Sequence, residues 1–279
     1  MPFITIREEL EIFYILHEKN EHAKTIVLVH GAGGNHLSML YIFNYIKKKW
    51  GNFFNIIIFD LPFHYKSTYA KNTNVINTIN KKININFYSL VLHELLEKLH
   101  LTFDNNIIMV GHSMGVQISL RYASIFAENI NKIMLIAGCD NVHIKDSFIL
   151  SLHNNYDRTI KLFLKDAYSN ETYHDKIKFK KAIDDINRTH YEIVVNDFAA
   201  VKSFNKSDKD IDFAELNKKN IYFNILYSEQ DKIINRDCIL ALKNKLSSAK
   251  LNLIEKKSHI EIIFGSRKLN NFIDEFLEQ

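Results

Sequence analysis

Apolar residues along this chain fall into two kinds of run. One kind is short, rich in Ile and Val, and apolar throughout, at residues 25–29, 55–59, 107–110, 132–136, 221–227 and 250–254. Runs without polar alternation are the signature of strands buried on both faces of a parallel sheet. The other kind repeats with helical spacing, over residues 37–48, 87–99, 116–127, 237–246 and 269–277. Strand and helix alternate, which predicts an α/β fold whose mostly parallel, doubly wound sheet is flanked by helices. Two further runs, 3–6 and 11–15, predict an antiparallel hairpin at one sheet edge.

The alternation stops between about residues 141 and 213 and then resumes. Four helical patterns fill the gap, over 144–153, 158–168, 175–186 and 191–204. A helical block between two strands of one sheet belongs above the C-terminal edge of that sheet. The expected organisation is therefore a core of residues 1–140 and 214–279 with a helical cap insertion at 141–213.

Composition narrows the class without naming a function. The 279 residues are 47% hydrophobic and 24% charged, as in ordinary globular proteins. The formal net charge is +4, but the cations are scattered, and short runs such as Lys47-Lys48-Lys49 suit a solvated surface. Nucleic acid is not an expected partner. Cys139 and Cys238 are the only cysteines, which gives neither a disulfide framework nor metal-ligand spacing, and no cofactor is expected. The N-terminal stretch turns charged at Arg7-Glu8-Glu9 before a signal-peptide core could form. No run approaches the roughly 18 apolar residues of a membrane helix. A cytoplasmic protein with no membrane partner is the expectation.

The chemistry is most legible at Ile107-Ile-Met-Val-Gly-His-Ser-Met-Gly115. Gly-x-Ser-x-Gly between a strand and a helix is a nucleophile elbow, which leaves the Ser113 hydroxyl exposed at the sheet edge. A serine nucleophile needs a base, a carboxylate to orient the base, and donors for an oxyanion. Each has a candidate at a strand end, where open α/β sheets build their sites. His259 follows the last predicted strand and is the base candidate. Asp231 follows the strand ending near Tyr227 and is the favoured acid, with Asp140 second. The order Ser113, Asp231, His259 is the order such folds use. The oxyanion donors are expected to be the backbone N–H groups of Met114 and of Ala32, in Val29-His-Gly-Ala-Gly-Gly-Asn35.

Other readings of these segments do not hold. The loop at 30–35 lacks the Gly-Lys-Ser/Thr and Gly-x-Gly-x-x-Gly patterns of nucleotide sites. His93-Glu-Leu-Leu-Glu97 has glutamate where a zinc protease helix needs its second histidine. His112 is expected to be structural, His30 to brace its loop, and His64 to lie at a pocket rim or on the surface.

Together, His30-Gly31 with Gly33-Gly34, Asp60-Leu-Pro-Phe-His-Tyr-Lys-Ser67, Gly111-His-Ser-Met-Gly115, Asp231 and His259 make the chain resemble the α/β-hydrolase superfamily. Within it, the likeness is to small single-domain hydrolases with a helical cap. The resemblance implies Ser113 as nucleophile, His259 as base, Asp231 as orienting acid, and Ala32 and Met114 as oxyanion donors. Phe63-His-Tyr65 departs from the family's usual Gly-x-Gly, and Ser228 and Ser258 stand where glycines are common.

The expected function is that of a serine hydrolase cleaving a carboxylic ester or thioester of a small, apolar substrate through an acyl-enzyme. Phe148, Phe163, Tyr168, Phe198 and Phe204 are candidates for an apolar pocket, or simply for packing the cap on the core. Two alternatives stay open at this point. One is carbon–carbon bond hydrolysis or a lyase step on the same triad, and the other is a ligand-sensing receptor that keeps the fold.

Overall fold

A computed structural model describes residues 3–7, 10–69, 83–206 and 210–279. The N-terminal runs form the expected hairpin, β1 (Phe3–Ile6) antiparallel to β2 (Leu10–His17). The parallel part of the sheet is built from β3 (Thr25–Val29), β4 (Asn55–Phe59), β6 (Ile107–His112), β7 (Ile130–Ile136), β8 (Tyr222–Tyr227) and β9 (Lys250–Leu253). The order is β1-β2-β4-β3-β6-β7-β8-β9, with the short β5 (Thr68–Tyr69) beside β2. Strands β4, β3, β6, β7, β8 and β9 pair in parallel, and β2 joins them antiparallel.

Successive strand residues feed two separate cores, which explains why the runs are apolar throughout. Val27, Val29, Ile57, Met109, Ile133 and Leu135 face one core, packed on α2 (Ile85–Lys98), α3 (Met114–Ile125) and α10 (Arg236–Lys245). Their neighbours Ile26, Leu28, Ile56, Ile108, Val110 and Met134 face the other, covered by α1 (Leu40–Trp50) and α11 (Arg267–Glu278). Every one of these strand residues is buried, so a polar residue on either face would have to be desolvated.

Between β7 and β8 lie α4 (Asp146–Asn154), α5 (Tyr156–Ala167), α6 (Asn170–His174), α7 (Lys176–Ile186), α8 (Tyr191–Ser203) and α9 (Phe213–Leu216). The block has its own core, in which Leu152, Ile160, Leu164, Ile186, Val194 and Phe198 pack together, with Ala32 and Ile260 of the sheet's loops against it. The helical periods read from the sequence account for α4, α5, α7 and α8. The short α6 and α9 span too few residues for a period to register.

The cysteines correct an expectation. Cys139, just after β7, is bonded to Cys238 in the first turn of α10, with Cα atoms 5.9 Å apart, a usual disulfide span. Their separation of 99 residues hides the pairing in the sequence, because only the adjacency of β7 and β8 brings them together. Disulfides persist chiefly in oxidising compartments, a consideration absent from the cytoplasmic expectation. No helix among the described residues is long and apolar enough to cross a membrane.

A cross-link closing so long a loop stabilises mainly by restricting the unfolded chain. Reduction, or replacement of both cysteines by serine, is expected to cost about 2–4 kcal/mol in urea unfolding at neutral pH. An unchanged unfolding midpoint would show that the bond contributes nothing.

Candidate active site

The site begins with a forced turn. Ser113 connects β6 directly to α3 with φ 54° and ψ −118°, a conformation a side-chain-bearing residue adopts only when its surroundings impose it. The surroundings here are backbone. A Cβ on Gly111 would lie 2.4 Å from the Gly115 carbonyl oxygen, and one on Gly115 would lie 2.4 Å from that of Val29. Both glycines are therefore needed for the strand and helix to close on each other. The Ser113 N–H donates to Ile136 O at 3.0 Å, which ties the turn to β7.

The sheet order brings the other candidates to the same edge. His259 Nε2 lies 3.0 Å from Ser113 Oγ, and His259 Nδ1 lies 2.8 Å from Asp231 Oδ2. A carboxylate only accepts, so Nδ1 carries the hydrogen, and in the neutral ring Nε2 is free to accept from the serine hydroxyl. The other Asp231 oxygen accepts the N–H groups of Ile233 (2.8 Å) and Ile234 (2.9 Å), which pin the carboxylate. The His259 and Asp231 side chains are each only 3% exposed.

Asp140, the second acid candidate, is engaged elsewhere. Its Oδ2 accepts from Asn205 Nδ2 at 2.8 Å and pairs with Lys245 Nζ at 2.9 Å. His112 braces its neighbour: its Nε2–H donates to His259 O at 3.0 Å. Burial, reinforced by the nearby His259 ring, pushes His112 down to about 3, so it stays neutral. His30 donates through Nδ1 to Gly31 O and accepts the Leu61 N–H at Nε2, a neutral ring whose pKa burial holds well below the usual value.

Ala32 and Met114 both line a cavity of about 880 Å³ that also contains Ser113 and His259. The next N–H groups along the first loop are taken: Gly33 donates to Asp197 and Gly34 to Gly31 O. The N–H of Met114 opens α3, where no intrahelical acceptor exists. Phe148, Phe163, Tyr168 and Phe198 line the cavity, whereas Phe204 packs into the sheet's core.

These features agree with a sequence match. The model of the alpha/beta hydrolase fold family matches residues 24–266. The chain belongs to the α/β-hydrolase family. It is 26% identical over 257 residues to YugF of Bacillus subtilis (strain 168), described as an uncharacterized hydrolase, across 88% of this chain and 87% of that one. Solved structures share the fold at low identity. The enol-lactonase from Burkholderia xenovorans LB400 superposes with a TM-score of 0.80 at 15% identity over 100% of both chains. An esterase from Exiguobacterium antarcticum does so at 0.79 and 15%, over 99% of both.

This α/β-hydrolase departs from its family's usual residues in the loop after β4. Phe63 and Tyr65, where glycines are usual, have φ of 68° and 41°. Each left-handed residue costs about 1–2 kcal/mol, and packing offsets it: Phe63 meets the Tyr69 and Phe87 rings, and Tyr65 stacks on His36. Ser258 donates to Glu261, which also accepts from Ser169 and Thr172 of the helical block. His64 corrects the expectation of a rim residue, because it is fully buried and bound to Asp197. The sequence held a signal for the buried acid, though not for its partner: Asp197 interrupts an apolar helical run, Ile193-Val-Val-Asn-Asp-Phe-Ala-Ala-Val201.

The buried neutral histidines predict an acid limb in stability. His112 is lowered, so the unfolded chain binds more protons between its ordinary value and about 3, and stability falls as pH falls through that window. His30 acts in the same direction. His112 alone should account for about 2–3 kcal/mol by roughly pH 4.5. Urea unfolding from pH 7 downward should show this loss, and His112→Asn, which keeps a donor for His259 O, should flatten it.

Proposed function

We propose that this protein is a serine hydrolase cleaving a carboxylic ester of a small, apolar acyl or aryl substrate through an acyl-enzyme. The observation that carries the reading is the continuous hydrogen-bond chain Ser113–His259–Asp231 opening into a cavity. Ser113 Oγ attacks the acyl carbonyl while His259 Nε2 takes its proton, and Asp231 steadies the imidazolium that forms. The negative oxygen of the tetrahedral intermediate sits between the Ala32 and Met114 N–H groups. His259 then protonates the departing alcohol, and water, deprotonated by the same histidine, releases the acid.

Esterases among the structures sharing the fold support an ester over other bonds. The aromatic cavity wall of Phe148, Phe163, Tyr168 and Phe198 suits an apolar group, and the volume suits a small molecule. In this reading residues 141–213 act as the cap that selects substrate, and residues 1–140 and 214–279 supply the chemistry.

A panel of p-nitrophenyl esters with increasing acyl length should reveal turnover, and a fluorophosphonate probe should label Ser113. Ser113→Ala is expected to lower turnover by about 10⁴- to 10⁶-fold and to abolish labelling. Folded wild-type protein that neither turns over an ester nor takes the label would favour a ligand-sensing role instead.

A further inference from the structure

A carboxylate from the helical block reaches the loop that borders Ser113. Asp197 lies on α8 among Val194, Phe198 and Val201, and is fully buried. Its Oδ2 accepts the Gly33 N–H at 2.8 Å and His64 Nε2 at 2.8 Å, and its Oδ1 accepts the Tyr88 hydroxyl. His64 Nδ1 faces Pro62 O at 3.0 Å. A carbonyl and a carboxylate both only accept, so both ring nitrogens carry hydrogen and His64 is an imidazolium. Burial works against that charge, but the Asp197 carboxylate, helped by the Pro62 carbonyl and Asp60, leaves the His64 pKa raised. The pair thus neutralises itself in the interior, with one further bond directed at the loop.

That bond falls at a sensitive place. Gly33 has φ +64°, and a Cβ there would lie 3.0 Å from Ile186 and 3.1 Å from Val194, so the helical block is pressed directly onto it. Gly34 N–H closes the turn onto Gly31 O at 3.0 Å. Asp197 holds the peptide plane between Ala32 and Gly33, which meets the plane carrying the Ala32 N–H at the Ala32 Cα; the carbonyl of that second plane, Gly31 O, is held by the Gly34 N–H and by His30 Nδ1. Without the carboxylate, a buried Gly33 N–H loses its acceptor, and the loop must turn to find another.

We propose that Asp197 is a positioning residue that aims the Ala32 N–H at the developing oxyanion, so that the helical block completes the catalytic geometry as well as covering it. This rests on the serine-hydrolase reading above. If Asp197 only staples the block to the core, its loss should lower stability without a selective effect on the transition state.

Four variants and three readouts, ester kinetics, inhibitor affinity and melting temperature, separate these cases. With a p-nitrophenyl ester, Asp197→Ala is expected to lower kcat about 10- to 100-fold while KM stays within about threefold, the cost of a slightly misplaced donor. A trifluoromethyl ketone, whose adduct with Ser113 puts an oxyanion in the same place, should bind more weakly by the same factor. Asp197→Asn can keep an oxygen toward Gly33 and His64 with its amide toward Tyr88, and should recover most of kcat. Tyr88→Phe breaks a bond to the same carboxylate without touching Gly33, and should lower the melting temperature and leave kcat and inhibitor affinity unchanged. If Asp197→Ala does not fold, Asp197→Ala with His64→Leu removes the orphaned cation, and the same loss of kcat is expected. Retained kcat in the alanine variants, or equal losses in Tyr88→Phe, would overturn the role. Wild-type protein without labelling at Ser113 would overturn the hydrolase reading and this role with it.

Discussion

The site depends on the reversal of the chain at Ser113. A strand that ends on a residue with φ 54° and passes at once into a helix can exist only if the two elements nearly touch. Gly111 and Gly115 allow that approach, and the bond to Ile136 O fixes the turn against its neighbour strand. The conformation is unfavourable in isolation, so the folded core imposes it. What results is a hydroxyl raised above the sheet edge, next to the first N–H of α3. The rest of the architecture brings groups to that point.

Strand order does most of this work. Placing β3 beside β6 sets the loop at 30–34 next to the turn, and β8 and β9 deliver the loops that carry Asp231 and His259. Each group is then held by its own local bonds. Two backbone N–H groups clamp Asp231, His112 supports the His259 carbonyl, and His30 joins Gly31 to Leu61. These fixed dipoles need little rearrangement if charge develops beside them, which is the main way such sites lower barriers.

The helical block is joined to the loops around Ser113 at more than its hinge with the sheet. Ile260 N–H donates to Ala167 O, Glu261 gathers Ser169 and Thr172, and Asp197 reaches Gly33. The cavity therefore has a floor from the sheet's loops and walls from the block, and the two are bonded to each other beside Ser113. Changes in the block would be felt at that floor through these contacts.

Much was legible in the sequence because its causes are local. Apolar runs without alternation report burial on both faces, and Ile26 and Val27 point into different cores as that pattern requires. Gly-His-Ser-Met-Gly reports a turn that only small flanking residues permit, and the chain order of Ser113, Asp231 and His259 follows the order of the strands. Distant pairings could not be read. Asp140 and Asp231 both follow strands, and only the packing shows that Asp231 meets His259 while Asp140 meets Asn205 and Lys245. Cys139 meets Cys238, and His64 meets Asp197, across 99 and 133 residues. The sequence by itself determined the elements, their alternation and the turn that exposes Ser113. Tertiary structure alone decided which charges and thiols face each other, because burial and partnership depend on how the elements pack, and no local pattern encodes a neighbour so far away along the chain.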